Sequence, residues 1–367
     1  MLENGVKVEL KSVSKSFKQT RIITEMNLQI NPGEFLVLLG PSGCGKSTTL
    51  RMIAGLESLT AGKILFDDQN IKKMNSWQRN TAMVFQDYAL YPNMTVSQNL
   101  EYALKVHKIS GDVRKKRVNK ILNTLDLEQV ADNYPSQLSG GQKQRTALGR
   151  GMVKQSRLFL LDEPLSNIDV QLREKARDEI QNIHKQNKQT IIYVTHDQTE
   201  AMALGDRIAV MDNGKIQMVA TPDEIYNHPQ NLFVAKFIGS PQINLMVTEF
   251  EADSLNKGKT QLINNVKKLS DYQFQPREKV YFGIRPENIQ IMPLNQNENY
   301  LRGTVDQITD YGRYQQIMVK VASDLNFKII SNNNQNDIGD KVSLSFKQSK
   351  ILLFDQHNEK NITRREV

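Results

Sequence analysis

A glycine-rich segment that ends in a lysine and two hydroxyl side chains is the stretch of this sequence best suited to chemistry. Residues 40–48 (GPSGCGKST) fit the phosphate-binding pattern G-x-x-x-x-G-K-[ST] without a gap. Glycines let backbone N–H groups close around phosphate oxygens. We expect Lys46 to reach the β- and γ-phosphates of a nucleotide and the hydroxyl of Ser47 to ligate Mg²⁺. The predicted phosphate-binding residues are Gly40, Pro41, Ser42, Gly43, Cys44, Gly45, Lys46, Ser47 and Thr48.

A strand and a helix must position this segment. Residues 35–39 (FLVLL) form an unbroken apolar run, which is typical of a strand buried on both faces. Residues 48–54 (TTLRMIA) predict a helix that ends at Gly55. The amino end of that helix adds a partial positive charge directed at the same anion. Strand, glycine loop and helix in this order are the arrangement that phosphate binding requires.

Polar side chains follow three further apolar runs that predict buried strands. Gln86 lies after residues 81–85, Asp162 and Glu163 after residues 157–161, and His196 after residues 190–195. Open parallel sheets build their nucleotide sites at the carboxyl ends of such strands. The sequence therefore predicts an α/β fold with a parallel sheet and a nucleotide site at one edge of it.

Two other features concern the ligand. Residues 138–142 (LSGGQ) open a helical run, and a serine followed by two glycines at a helix start is again an anion-binding arrangement. Phe17 follows an alternating strand pattern at the beginning of the chain. Its spacing alone favours a core position over a face for stacking on adenine.

Composition limits the class of protein. The 367 residues allow two domains, and no run reaches the length of about 18–20 apolar residues that a membrane span needs. The sequence shows no signal-peptide core, and its single cysteine suits a reducing cytoplasm. The net charge of +8 favours anionic partners, but aromatic and basic residues are not interleaved as in nucleic-acid binders. Residues 112–120 (DVRKKRVNK), which include five basic side chains, indicate a solvated helix face or a contact with anionic lipid headgroups.

The pattern of the chain changes near residues 239–241. Before this point lies the predicted nucleotide-binding domain, residues 1–238, with a helix-rich subdomain at about 93–150. After it, short alternating runs separated by turn signals replace the helical patterns. Residues 239–367 therefore predict a small all-β domain, an OB-like barrel.

The first 238 residues resemble the ATP-binding cassette (ABC) ATPases, because six motifs occur in the order typical of that family. They are the phosphate loop at 40–48, FQDYALYP at 85–92, LSGGQ at 138–142, LFLLDEP at 158–164, LSNID at 165–169 and VTHDQTEA at 194–201.

This resemblance implies a role for each matching residue. It implies that Asp162 holds Mg²⁺, that Glu163 polarises the attacking water and that His196 contacts the γ-phosphate. It implies that Gln86 reports on Mg²⁺ and phosphate, and it makes Phe17 an adenine-stacking residue, against its spacing. The remaining residues of the expected ATP site are Asp169 and the signature residues Ser139, Gly140, Gly141 and Gln142. In this family Ser139, Gly141 and Gln142 complete the γ-phosphate site of a second subunit.

The second half narrows the resemblance. FIGSPQINLM at 237–246 and FGIRPENI at 282–289 look like the linker and barrel of ATPases that serve bacterial carbohydrate importers of the maltose, multiple-sugar or glycerol-3-phosphate type. The resemblance implies a head-to-tail dimer of this chain, two integral-membrane permease subunits and, indirectly, an extracytoplasmic solute-binding protein. It places the protein peripherally at the cytoplasmic face of the cell membrane. The transported solute stays open, because this subunit does not bind it.

Three alternatives remain beside this interpretation. Polyamine and iron(III) importers share the same architecture. A soluble ABC protein acting on ribosomes or DNA is disfavoured, because the chain has one phosphate loop and residues 51–137 show no sustained heptads, so no nucleic-acid partner is expected. A non-enzymatic regulator is disfavoured because both Glu163 and His196 are present.

Overall fold

The computed structural model describes residues 5–85, 87–154, 156–166, 168, 170–294, 301–332 and 335–363. The chain divides into two compact units, Met1–Pro222 and Asp223–Val367. No helix among these residues is long and apolar enough to cross a membrane.

The first unit alternates strands and helices. Its strands are β1 (Val8–Phe17), β2 (Thr20–Ile30), β3 (Phe35–Leu39), β4 (Ala61–Phe66), β5 (Gln69–Asn70), β6 (Thr81–Val84), β7 (Leu158–Asp162), β8 (Thr190–Thr195), β9 (Arg207–Asp212) and β10 (Lys215–Ala220). Its helices are α1 (Lys46–Ala54), α2 (Val96–Val106), α3 (Gly111–Thr124), α4 (Gly140–Lys154), α5 (Val170–Asn187) and α6 (Gln198–Leu204).

The phosphate-binding segment lies on a six-stranded sheet of order β10-β9-β3-β8-β7-β6. Strand β3 pairs in parallel with β8 and β9, and β7 pairs in parallel with β8 and β6. Every residue of β3, β7 and β8 is buried. These strands are therefore covered on both faces, as their continuous apolar sequences predict. The predicted parallel sheet and α/β fold are confirmed.

A second, antiparallel sheet of order β2-β1-β4-β5 packs against the same core. Residues of its strands, among them Val8, Leu10 and Ile23, share a buried cluster with Leu50 and Ile53 of α1. Helix α1 ends at Gly55 as predicted, but it begins at Lys46, so the lysine of the motif is already helical.

The predicted helix-rich stretch contains α2, α3 and the first part of α4. Helix α2 begins with a capping box, in which Thr95 and Gln98 bond reciprocally. The buried polar side chain of Asn99 bonds to Tyr91, Met94 and Thr95 and so holds the loop that precedes α2. Helix α4 buries most of its residues from 144 to 153.

The second unit begins with two short helices and continues with antiparallel strands. The helices are α7 (Pro222–Asn227) and α8 (Leu232–Phe237). The strands are β11 (Asn244–Glu251), β12 (Ser254–Lys257), β13 (Thr260–Asn264), β14 (Lys279–Ile284), β15 (Ile289–Pro293), β16 (Leu301–Asp310), β17 (Gln315–Ala322), β18 (Leu325–Ser331), β19 (Lys341–Phe346) and β20 (Ile351–Asp355). They form two five-stranded sheets, β13-β12-β11-β14-β20 and β15-β19-β16-β17-β18, around one apolar core. The all-β, barrel-like second half is thus confirmed.

The division between the units lies earlier in the chain than the predicted boundary at 238/239. Leu232 and Ala235 of α8 are buried against Leu352 and Phe354 of β20. The guanidinium of Arg285 donates to the carbonyl oxygens of Tyr226 and Ile238. These contacts attach α7 and α8 to the β domain, although their helical pattern resembles that of the preceding residues.

Candidate functional site

The glycine loop passes close to a neighbouring strand. A Cβ atom at Gly40 would collide with the carbonyl oxygen of Met211 in β9, so only glycine permits this approach. Gly45, which caps the amino end of α1, has φ +102°, a conformation that favours glycine. The loop can therefore turn from β3 into α1 and leave the amino end of the helix directed at a bound anion.

Lys46 is held beside the loop. Its Nζ atom donates to the carbonyl oxygens of Gly40 at 2.7 Å and Pro41 at 3.0 Å and lies 4.0 Å from Sγ of Cys44. The side chain is almost fully buried. A phosphate in the loop would replace these carbonyl oxygens as the partner of the ammonium group.

Ser47 in the first turn of α1 lies beside Asp162 at the end of β7. The hydroxyl of Ser47 donates to Oδ1 of Asp162 at 2.7 Å. Asp162 is fully buried, and this burial raises the pKa of its carboxyl group, although the Ser47 hydrogen bond acts against the shift. Its Oδ2 atom is buried, and no donor among the described residues reaches it. An unpaired carboxylate oxygen next to a serine hydroxyl fits the preference of Mg²⁺ for oxygen ligands.

Glu163 and His196 form the next pair. Oε2 of Glu163 lies 3.2 Å from Nδ1 of His196, and their side chains are 15% and 56% exposed. Glu163 has φ +46°, and its N–H donates to the carbonyl oxygen of Val194. This carboxylate is shielded but still reaches the surface of the site, where it can accept a proton from a water molecule.

Strand order brings these groups together. The sheet places β8 between β3 and β7, so the residues after the three strands share one edge. The structure therefore brings Ser47 to Asp162 and Glu163 to His196 at this edge. Gln86, which is predicted at the same edge, and Asp169, which the family resemblance adds, lie outside the described residues.

A buried carboxylate fixes the turn that carries His196. The hydroxyls of Tyr193 and Thr195 both donate to Oε2 of Glu200 at 2.8 Å, and the N–H of Asp197 donates to Oγ1 of Thr195. Burial raises the pKa of Glu200. Sequence reasoning missed this residue. Its position one turn into the helix after His196 is visible in the sequence, but the sequence does not show that the Glu200 side chain is buried.

Two predicted ligand-binding regions are accessible, namely Phe17 and the start of α4. Phe17 is 45% exposed, with Nζ of Lys15 at 4.6 Å from the ring centre, so the core position favoured by spacing is wrong. The start of α4 is also accessible. Ser139 and Gln142 bond reciprocally there, at 2.9 and 3.2 Å, and a side chain at Gly140 would meet no atom within 4 Å. Gly141 follows in the first turn.

A glycine loop between a buried parallel strand and a helix, with a serine–aspartate pair and a glutamate–histidine pair beside it, defines a nucleotide-hydrolysing P-loop protein. The comparisons with known proteins place it more closely. The family model "ABC transporter" matches residues 23–166, and the model "TOBE domain" matches residues 282–354.

Three curated relatives match most of the chain. The uncharacterized ABC transporter ATP-binding protein YurJ of Bacillus subtilis is 41% identical, over 95% of this chain and 98% of the relative. The sulfoquinovosyl glycerol transport ATP-binding protein SmoE of Agrobacterium fabrum is 45% identical, over 77% and 79%. The maltose/maltodextrin import ATP-binding protein MalK of Mannheimia succiniciproducens is 40% identical, over 97% and 92%.

A solved structure agrees with these matches. The dimeric, post-hydrolysis structure of the ATP-binding cassette MJ0796 bound to ADP and Pi is 30% identical, with a TM-score of 0.55 over 59% of this chain and 98% of that chain. The chain therefore belongs to the ATP-binding proteins of ABC transporters, and it is an ATPase.

Proposed function

We propose that this protein is the ATP-hydrolysing subunit of an ABC importer for a carbohydrate. The observation that carries the proposal is the juxtaposition of two pairs at the carboxyl edge of the sheet. The Ser47 hydroxyl lies 2.7 Å from Asp162, and Glu163 lies 3.2 Å from His196. One pair suits a metal-bound phosphate, and the other suits an attacking water molecule.

The loop and its surroundings hold the nucleotide. Backbone N–H groups of residues 40–48 surround the β- and γ-phosphates, and Lys46 exchanges the carbonyl oxygens of Gly40 and Pro41 for phosphate oxygens. The exposed ring of Phe17 stacks on the adenine. Ser47, Asp162 and Gln86 hold Mg²⁺, which when bound neutralises charge on the phosphates.

Glu163 orients the water and takes its proton. The oxygen of that water attacks the γ-phosphorus, the bond to the bridging oxygen breaks, and ADP leaves as phosphate forms. His196 stays within hydrogen-bonding range of the carboxylate and contacts the γ-phosphate.

The active unit is a head-to-tail dimer. One chain carries a single phosphate loop and a single LSGGQ segment. The exposed start of α4 presents Ser139, Gly140, Gly141 and Gln142, and such a helix start binds anions. We place these residues, with Asp169, against the nucleotide of the second copy, so that each dimer has two composite sites. The similar cassette MJ0796 is dimeric in its solved structure, which supports a dimer as the active unit.

The dimer acts on other subunits. We propose two integral-membrane permease subunits as direct partners, with an extracytoplasmic solute-binding protein acting through them, at the cytoplasmic face of the membrane. The segment around Gln86 and the following loop contact the permease. Asn99 holds part of that loop through bonds to both backbone groups of Tyr91, at 2.9 and 3.2 Å.

Carbohydrate is the proposed solute class because relatives named for maltose/maltodextrin and for sulfoquinovosyl glycerol match most of the chain. The test is uptake of labelled maltodextrin, glycerol-3-phosphate, spermidine and iron(III) in cells that lack this chain, with wild type, Glu163→Gln or the surface control Glu251→Gln restored. We expect wild type and the control to restore uptake of a carbohydrate or its phosphate, and Glu163→Gln to fail. Restoration of spermidine or iron(III) uptake alone would contradict the solute class.

A further inference from the structure

Gln144 lies on the buried side of the helix that begins with the signature residues. It is 2% exposed and belongs to the second turn of α4. Its Nε2 atom donates to the carbonyl oxygen of Glu163 at 3.3 Å and lies 3.5 Å from Oγ of Ser166. Helix α4 therefore contacts the backbone of the proposed water-activating residue in its own chain.

The backbone of Glu163 needs such support. Its φ of +46° is in the left-handed region, which a residue with a side chain occupies only where its surroundings hold it. Its N–H donates to Val194, and its carbonyl oxygen accepts from Oγ of Ser166 at 3.1 Å as well as from Gln144. The direction of this peptide determines where the carboxylate enters the site.

We propose that Gln144 is a positioning residue that fixes the peptide of Glu163 and transmits movements of α4 to it. The proposal rests on the proposed function, in which the exposed start of α4 engages the nucleotide of the second copy. Ser139 directly precedes α4 and bonds to Gln142 in its first turn, and α4 runs without interruption from Gly140 through Gln144 to Lys154. A shift of the helix start on the partner's nucleotide therefore also moves the donor that holds Glu163.

The amide group of glutamine suits this position. It donates a hydrogen bond to a carbonyl oxygen inside the protein without bringing a charge there. Methionine has a similar length and flexibility but no donor. Glutamate has the same shape, but its ionised form only accepts hydrogen bonds and would repel the Glu163 carbonyl oxygen.

The test compares Gln144→Met with Gln181→Met, a matched control that removes a glutamine donor from the carbonyl oxygen of Ala203, 2.8 Å away. We expect Gln144→Met to lower kcat about tenfold, with KM for ATP and nucleotide affinity within about twofold of wild type, because only the approach of the carboxylate changes. The control should keep the wild-type kcat. If Gln144→Met does not fold, Gln144→Glu serves instead, and the same loss of kcat is expected.

A double variant separates positioning from general damage to the fold. In a Glu163→Gln background, Gln144→Met should not reduce the residual single-turnover rate further, because the residue it positions has lost its function. An equal loss in both backgrounds, or a kcat equal to that of Gln181→Met, would overturn the inference. Absence of hydrolysis by the wild-type chain would instead count against the proposed function.

Discussion

The carboxylate of Glu163 lies 3.2 Å from Nδ1 of His196, although the two residues belong to different strand–loop connections. The contact exists because β7 and β8 are parallel neighbours whose carboxyl ends meet at one edge. The residue that follows each strand, Glu163 after β7 and His196 after β8, supplies one functional group. This proximity underlies the proposal that Glu163 activates the attacking water.

Replacement of Glu163 by glutamine tests that assignment. The amide keeps the size of the side chain but cannot take a proton from water, so we expect kcat to fall by about 100-fold or more. Binding of Mg-ATP should persist, and the dimer should accumulate. Turnover assays, a fluorescent ATP analogue and size-exclusion chromatography measure the three effects, with Glu251→Gln as the surface control. Near-normal turnover of Glu163→Gln would refute its role as the base.

The buried carboxylate of Asp162 should lower the stability of the folded protein near neutral pH but be required for Mg²⁺-dependent hydrolysis. Burial raises its pKa, so the folded state binds this proton more tightly than the unfolded state does. The neutral carboxyl group therefore stabilises the folded state at low pH, and this stabilisation is lost as the pH rises through the raised pKa. Asp162→Asn imitates the neutral form and still accepts the Ser47 hydrogen bond. We expect Asp162→Asn to be more stable than wild type to urea near neutral pH, with a difference that shrinks as the pH falls. Its Mg²⁺-dependent hydrolysis should be lost.

Ser47→Ala is the comparison for this experiment, since it removes the hydroxyl donor and leaves the buried carboxylate without that bond. Its stability near neutral pH should therefore fall rather than rise. A gain in stability for Asp162→Asn that did not change with pH would contradict the electrostatic explanation.

Cys44 should react slowly, and its modification should inactivate the enzyme. The thiol is buried, and this burial raises its pKa in spite of the nearby Lys46 ammonium. Because the thiolate is the reactive form, alkylation should be slow at pH 7 and accelerate as the pH rises. The added group would occupy the phosphate loop, so ATPase activity should fall in parallel, and ATP should protect. Equal sensitivity of Cys44→Ala to the reagent would show that another site is responsible.

The division after Pro222 predicts how the chain can be shortened. A fragment of residues 1–222 should be monodisperse and bind ATP, because α7 and α8 belong to the second unit. A fragment of residues 1–240 would expose Leu232 and Ala235, which are buried against β20 in the full chain. We expect this longer fragment to aggregate more readily in light scattering. Equal behaviour of the two fragments would contradict this account of the boundary.

Much of the site could be predicted from the sequence because its residues follow apolar runs at the ends of parallel strands. The contact of Ser47 with Asp162 follows from that rule and from the phosphate-loop motif. Spacing failed for Phe17, because its position at the end of β1 leaves it outside the alternating buried face. The family resemblance, which uses residue identity rather than spacing, instead implied that Phe17 stacks on adenine, a role that requires an exposed ring.

Other features depend on tertiary contacts and could not be predicted. The left-handed conformation of Glu163, the donor from Gln144 and the burial of Glu200 all arise from groups far apart in the sequence or from packing. The boundary near residue 222 could not be predicted from the sequence for the same reason. The helical pattern of α8 is local, whereas its attachment to the β domain depends on Leu352 and Phe354.

Two copies of this chain are proposed to share each ATP site, and complementation between two inactive variants tests this arrangement. Lys46→Ala and Ser139→Arg chains, each inactive alone, would be mixed while subunit exchange is followed by energy transfer between labelled chains. A mixed dimer has one site with both lesions and one with neither. Hydrolysis at roughly a quarter of the wild-type rate per chain is expected for random mixing of a head-to-tail dimer. Absence of hydrolysis after demonstrated exchange would contradict independent composite sites in such a dimer.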